Sequence, residues 1–103
     1  MQDFGLKAEV LGAIVAVLKC NPKIEKAVIF GSRAKGNFRN YSDIDIAIYG
    51  EVDSTDAEHI ICELDELPTA HSFDVTAFDA IKNPALQEHI KRVGVLIYRK
   101  ETV

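Results

Sequence analysis

The chain has 103 residues, room for one compact domain, and 48% of them are hydrophobic, well above a disordered composition. With 16 acids against 12 bases its formal charge is −4, which argues against holding duplex nucleic acid by bulk electrostatics. A small nucleotide held at a local site remains compatible with that balance.

The longest apolar run, residues 10–18, is short of the ~20 residues that a bilayer span needs. It also lacks the basic flank and cleavage site of a secretory signal, so no membrane partner is expected. Cys20 and Cys62 stand far apart, without C-x-x-C spacing or His at zinc spacing. They are expected to be reduced, core or semi-buried thiols of a cytoplasmic protein.

In chain order, residues 3–20 carry Leu6, Val10, Ile14, Val17 and Leu18 at helical spacing, and Asn21-Pro22 ends the run. Leu11 and Val15 widen the stripe, toward the core or toward a subunit contact. Residues 26–30 form a short β-rich run stopped by Gly31, and residues 32–41 are a polar, basic connection with room for one helical turn. Residues 43–49 alternate strictly, with Ile44, Ile46 and Ile48 on one face and Asp43, Asp45 and Ala47 on the other. Thr55 and Glu58 fit a capping box for a helix with Ala57, Ile60, Ile61, Leu64 and Leu67 inward, up to Pro68.

Residues 73–78 read as a third strand. Asn83-Pro84 is a cap and first-turn pair for a helix with Leu86, Ile90 and Val93 inward, which Gly94 can end. Residues 95–98 read as a fourth strand. The expectation from the residues is a single α/β (α+β) domain over residues 1–103, with four strands alternating with helices.

The chemistry concentrates in Gly31-Ser32-Arg33-Ala34-Lys35-Gly36 and Ser42-Asp43-Ile44-Asp45. A glycine directly after a strand lets backbone amides and the Ser32 hydroxyl approach a phosphate closely, and the N–H groups of a helix starting at Ser32 would point at the same anion. Between 31 and 42 the only charges are Arg33, Lys35 and Arg39, all positive in an acidic chain, which suits a polyphosphate as well as it suits a solvated loop. The candidate nucleotide-binding set is Gly31, Ser32, Arg33, Lys35, Gly36 and Ser42, with Ser42 read as a hydroxyl that holds the loop.

Asp43 and Asp45, two apart on one strand, leave the same face roughly 6–7 Å apart at the backbone. Carboxylates so placed select magnesium or manganese over zinc. Asp74 shares that face if its strand is adjacent. Three acids around a metal pair, beside a glycine-serine clamp, match phosphoryl or nucleotidyl transfer, with one acid free to take the attacking hydroxyl's proton. Gly31 and Gly36 begin like a P-loop, but Asn37-Phe38 stands where Lys-Ser/Thr is required.

Gly-Ser-x-Ala-x-Gly followed by Ser-Asp-x-Asp resembles the signature of the DNA polymerase β-like nucleotidyltransferase superfamily, and the small size and third Asp resemble its minimal nucleotidyltransferase (MNT) branch. The resemblance implies a nucleotidyltransferase fold with a mixed sheet of about four strands flanked by helices, two Mg2+ ions, ATP as donor, Gly31 and Ser32 at the triphosphate, Asp43 and Asp45 on the metals, and Asp74 as third carboxylate. It also implies a partner: a helical HEPN toxin, silenced by AMP transfer to a tyrosine, in a homo- or hetero-oligomer. A binding-only antitoxin and a small-molecule nucleotidyltransferase are the alternatives. Residues 51–66 hold seven acids and no Lys or Arg, read as a solvated helix face or a docking surface for a basic partner.

Overall fold

The computed structural model describes residues 4–36 and 43–101. The elements are α1 (Ala8–Lys19), β1 (Ile24–Phe30), the one-turn α2 (Ser32–Lys35), β2 (Ile44–Gly50), α3 (Ser54–Asp65), β3 (Phe73–Ala77), a 3-10 turn (Phe78–Ala80), α4 (Pro84–Val93) and β4 (Val95–Arg99). They build the expected α+β architecture, one four-stranded mixed sheet in the order β3-β2-β1-β4. β1 is antiparallel to both β2 and β4, whereas β2 and β3 run parallel, joined through α3. That crossover is what a parallel pair requires.

Both faces of the sheet are covered. Ile44, Ile46 and Ile48 are fully buried, as their alternation predicts, and they pack with Ile29, Phe73 and Val75 against Ile14 and Leu18 of α1 and Ile60 and Leu64 of α3. The opposite face gathers Val28, Phe30 and Ala47 under Phe78 and Ile90. Burying the face that holds Ala47 explains why a strand with two aspartates at one end still reads as a central strand.

Three readings of the sequence are corrected here. α3 is capped by Asp53 rather than Thr55: the Asp53 side chain accepts from Asp56 N at 2.9 Å, and Asp56 Oδ2 accepts from Asp53 N at 3.0 Å. A carboxylate is the stronger acceptor for exposed helix amides, so the reciprocal box forms earlier. Phe78 leaves the third strand after the last ladder pair, Ile48 with Ala77, and stacks on Tyr49 with ring centroids 4.5 Å apart. Cys20 and Cys62 are free but exposed rather than semi-buried. Cys62 lies off the Ala57–Ile60–Leu64 stripe of α3, and Cys20 follows the last buried position of α1.

α4 starts as expected, with Asn83 Oδ1 accepting from Ala85 N at 2.9 Å and Pro84 in the first turn. At Gly94 a Cβ would sit 2.5 Å from the Ile90 carbonyl and 3.1 Å from Val28 Cγ2, so the chain turns into β4 where a side chain has no room. No helix among the described residues is long and apolar enough to cross a membrane.

Candidate active site

The three aspartates come from the entry ends of two parallel strands. Asp45 is in register with Phe30 at the exit of β1 on one side and with Asp74 of β3 on the other. Paired residues of adjacent strands share a face at a spacing of ~4.8 Å, so the carboxylates of Asp45 and Asp74 stand side by side. Asp43 immediately precedes β2 and is exposed; Asp45 is half-buried and Asp74 exposed. The condition placed on Asp74, that its strand be adjacent, is met.

Gly31 closes the site from the β1 side. Its φ is +77°, and a Cβ built on it would run into the Asp45 carboxylate at Oδ2. The residue is therefore glycine for two reasons, a left-handed backbone and a carboxylate lying against it. α2 begins at once with Ser32, Lys35 N donates to the Gly31 carbonyl at 3.1 Å, and Gly36 ends the turn in the left-handed conformation. Ser32 and Lys35 thus stand on a single turn directly beyond the Gly31–Asp45 contact.

Arg33, one of the three basic residues of the segment between 31 and 42, lies inside the fold. It is 1% exposed, its Nη1 donates to the Phe4 carbonyl at 2.8 Å, and its Nη2 lies 3.5 Å from His71 Nδ1. The guanidinium is turned into the fold, tying α2 to the N-terminal segment and to the chain entering β3. Burial depresses the Arg33 pKa, and burial followed by the neighbouring guanidinium holds His71 below its ordinary value. Neither Phe4 nor His71 carries a pattern in the sequence that marks it as Arg33's neighbour. Ser42 and Arg39 lie outside the described residues, as do Phe38 and Tyr41.

Burial first, and then the charges of Asp74 and Asp43, push the Asp45 carboxyl above the usual carboxylate range. A site that raises the cost of its own ionised acid has a use for a cation. The donor set is all carboxylate, the hard-oxygen chemistry that Mg2+ prefers, with no thiolate or imidazole in it. Among the described residues no three His, Cys, Asp or Glu side chains are already closed into a metal cage, so the fit rests on donor chemistry and shared charge.

The family model for Polymerase beta, Nucleotidyltransferase matches residues 13–103, and the chain belongs to that family. Among solved structures it is similar to a chain of a toxin–antitoxin complex with AMP-PNP (TM-score 0.74, 21% identity, covering 88% of this chain and 74% of that one). It is also similar to a chain of the MntA–HepT toxin–antitoxin (TM-score 0.69, 18% identity, 91% and 74% covered). A third is a complex of tri-AMPylated Shewanella oneidensis HEPN toxin with MNT antitoxin (TM-score 0.69, 18% identity, 92% and 74% covered). At these identities the likeness is one of fold. No curated protein shows a significant sequence match.

Proposed function

We propose that this chain is a Mg2+-dependent nucleotidyltransferase of the MNT type, moving AMP from ATP to a hydroxyl acceptor, a tyrosine on a helical HEPN toxin, and so acting as an antitoxin. The observation that carries the reading is the in-register pair of Asp45 and Asp74 with the Gly31 backbone against it. Family membership and the fold shared with antitoxin–toxin complexes, one AMPylated and one with AMP-PNP, support it.

In this reading Asp43, Asp45 and Asp74 hold the metal. Magnesium bound there supplies charge neutralisation for the triphosphate and for the phosphorus centre as it becomes five-coordinate. Amides at Gly31 and Ser32 with the Ser32 hydroxyl hold the β and γ phosphates, and Lys35, Gly36 and Ser42 complete the nucleotide cradle. Arg33 supports that loop from behind. Asp74, the outermost acid, accepts the proton of the attacking hydroxyl; the oxygen bonds to the α-phosphorus and pyrophosphate leaves.

The test uses ATP labelled at the α or at the γ phosphate, with Mg2+, the protein and a purified HEPN toxin. Transfer of α label alone, lost in the Asp43→Asn/Asp45→Asn variant, is expected. Transfer of γ label, or label that survives in the variant, overturns the mechanism. Neutralisation of the toxin without label identifies a binding-only antitoxin.

A further inference from the structure

α1 is apolar on every side. Between Glu9 and Lys19 no residue carries a polar side chain, yet only Ile14 and Leu18 of the helix are fully buried. A helix of that composition is ordinarily enclosed by its own fold. Here the sheet and α3 cover one side, while Ala8, Glu9, Gly12, Ala16 and Lys19 are exposed on the other. Beside them an apolar groove of about 520 Å³ runs between α1 and the border strand β4. Its walls are Phe4, Leu11, Val15, Val95, Leu96 and Ile97, and no polar residue lines it. Leu96 is 47% exposed, the one large hydrophobic side chain left in water among the described residues.

The charges on the exposed side identify what covers it. Glu9, Gly12, Ala16 and Lys19 follow one another at steps of three, four and three, which places them on a single stripe. Their order is symmetric about residue 14. When an identical helix runs antiparallel across this one, Glu9 meets Lys19 of the second copy and Gly12 meets its Ala16, and the same contacts repeat at the other end. The face is thus complementary in charge to itself, and neither Glu9 nor Lys19 is held by an ion pair among the described residues. Gly12 suits the same contact. Glycine in mid-helix weakens the helix, and a Cβ at this position would meet nothing within 4 Å, so the packing of the single chain does not require it. A second helix lying close over it does.

We propose that α1 and the β4 border form a self-association face, on which two copies of this chain pair antiparallel about a two-fold axis. An axis perpendicular to the helices keeps like flanks together, so the two grooves meet and each Leu96 is closed off from water. The face is small: α1, with 12 residues, is ~18 Å long. Such a contact falls at the lower end of specific interfaces, and the pair forms reversibly with micromolar affinity. Asp45 lies on the sheet face of Phe30 and Ala47, opposite the face that α1 covers, so pairing leaves the acids open in both copies. The proposal is independent of the transfer reaction.

Sedimentation equilibrium of the purified chain, from low micromolar to near-millimolar concentration, measures the pairing, and thermal melts at low concentration monitor the fold. The wild type is expected to pass from monomer to dimer across that range. Gly12→Gln sets a polar side chain in the centre of the contact, where the monomer has room for it. It should weaken pairing at least about tenfold while the melting temperature of the dilute monomer holds or rises. Glu9→Lys and Lys19→Glu each set like charges against one another at both ends and should weaken pairing about tenfold. An equimolar mixture of these two variants restores opposite charges at both ends and should pair at least as tightly as the wild type, a rescue that damage to the fold would not show.

A chain that stays monomeric to the top of the range overturns the proposal, as do charge reversals that pair like the wild type or a mixture that gains nothing. If the chain alone is monomeric and binding of a purified HEPN toxin is lost in Gly12→Gln, the face belongs to that partner, and self-association is likewise refuted.

Discussion

Asp45→Asn should make the protein more stable while removing its chemistry. Asp45 faces Asp74 across a strand spacing of ~4.8 Å, where two unit charges repel by about 0.9 kcal/mol in water-like dielectric and about 3.5 kcal/mol at an effective dielectric of 20. Because Asp74 is exposed and solvent screens the pair, the lower part of that range applies, about 1 kcal/mol. For a domain near this size that corresponds to a gain of roughly 4–8 °C in Tm.

The sign follows from linkage. The folded-state pKa of Asp45 is raised, so the native state binds its proton more tightly than the unfolded chain does. The stability gap between variant and wild type therefore opens as pH rises above about 4 through the raised folded value, then stays constant. Thermal melts of both proteins from pH 4 to 8 without divalent metal measure it. Saturating Mg2+ should raise the wild-type Tm and close the gap, because only the intact carboxylate set binds it. An Asp45→Asn protein that melts below wild type at pH 7.5 would refute the argument, since the carboxylate would then be stabilising where it sits.

The other predictions bear on what surrounds that pair. Gly31→Ala should cost about 1–3 kcal/mol in urea unfolding and abolish nucleotide binding, because it adds a Cβ at positive φ against Asp45. Arg33→Met strips the Phe4 carbonyl of its 2.8 Å donor and should cost about 1–3 kcal/mol, with hydrogen-exchange protection falling first around residues 4–6 and at α2. His71, held below its ordinary pKa by burial and by Arg33, favours the fold when neutral; stability should fall as pH drops below about 6.5. His71→Gln should flatten that decline, and an NMR titration of the ring shows whether the folded value lies below the free one.

Much of this arrangement was legible before any coordinates. The period-2 pattern of Ile44, Ile46 and Ile48 fixed which face of β2 is core, and Gly31-Ser32 with Asp43-x-Asp45 marked the loop and the acids. Asp74 was readable only conditionally, because strand adjacency is a long-range fact set by the α3 crossover. Arg33 could be read from sequence only as a basic loop residue; its bond to a carbonyl 29 residues away is a long-range contact that no local pattern announces. The two cysteines misled through their usual hydrophobic preference; which helical face they occupy decided otherwise. Asp53 was passed over as a cap because the Thr55 pattern also satisfies the capping rule, and only backbone geometry distinguishes the two.

The parallel pairing of β2 and β3 has a consequence for how such a domain can diversify. The alignment of Asp45 with Asp74 is held by backbone ladder bonds, while the helix joining the two strands faces solvent along one side. Substitutions on that outer side leave the distance between the acids untouched. The outer face of that helix can therefore change its charge and shape while the register that aligns the two acids stays fixed.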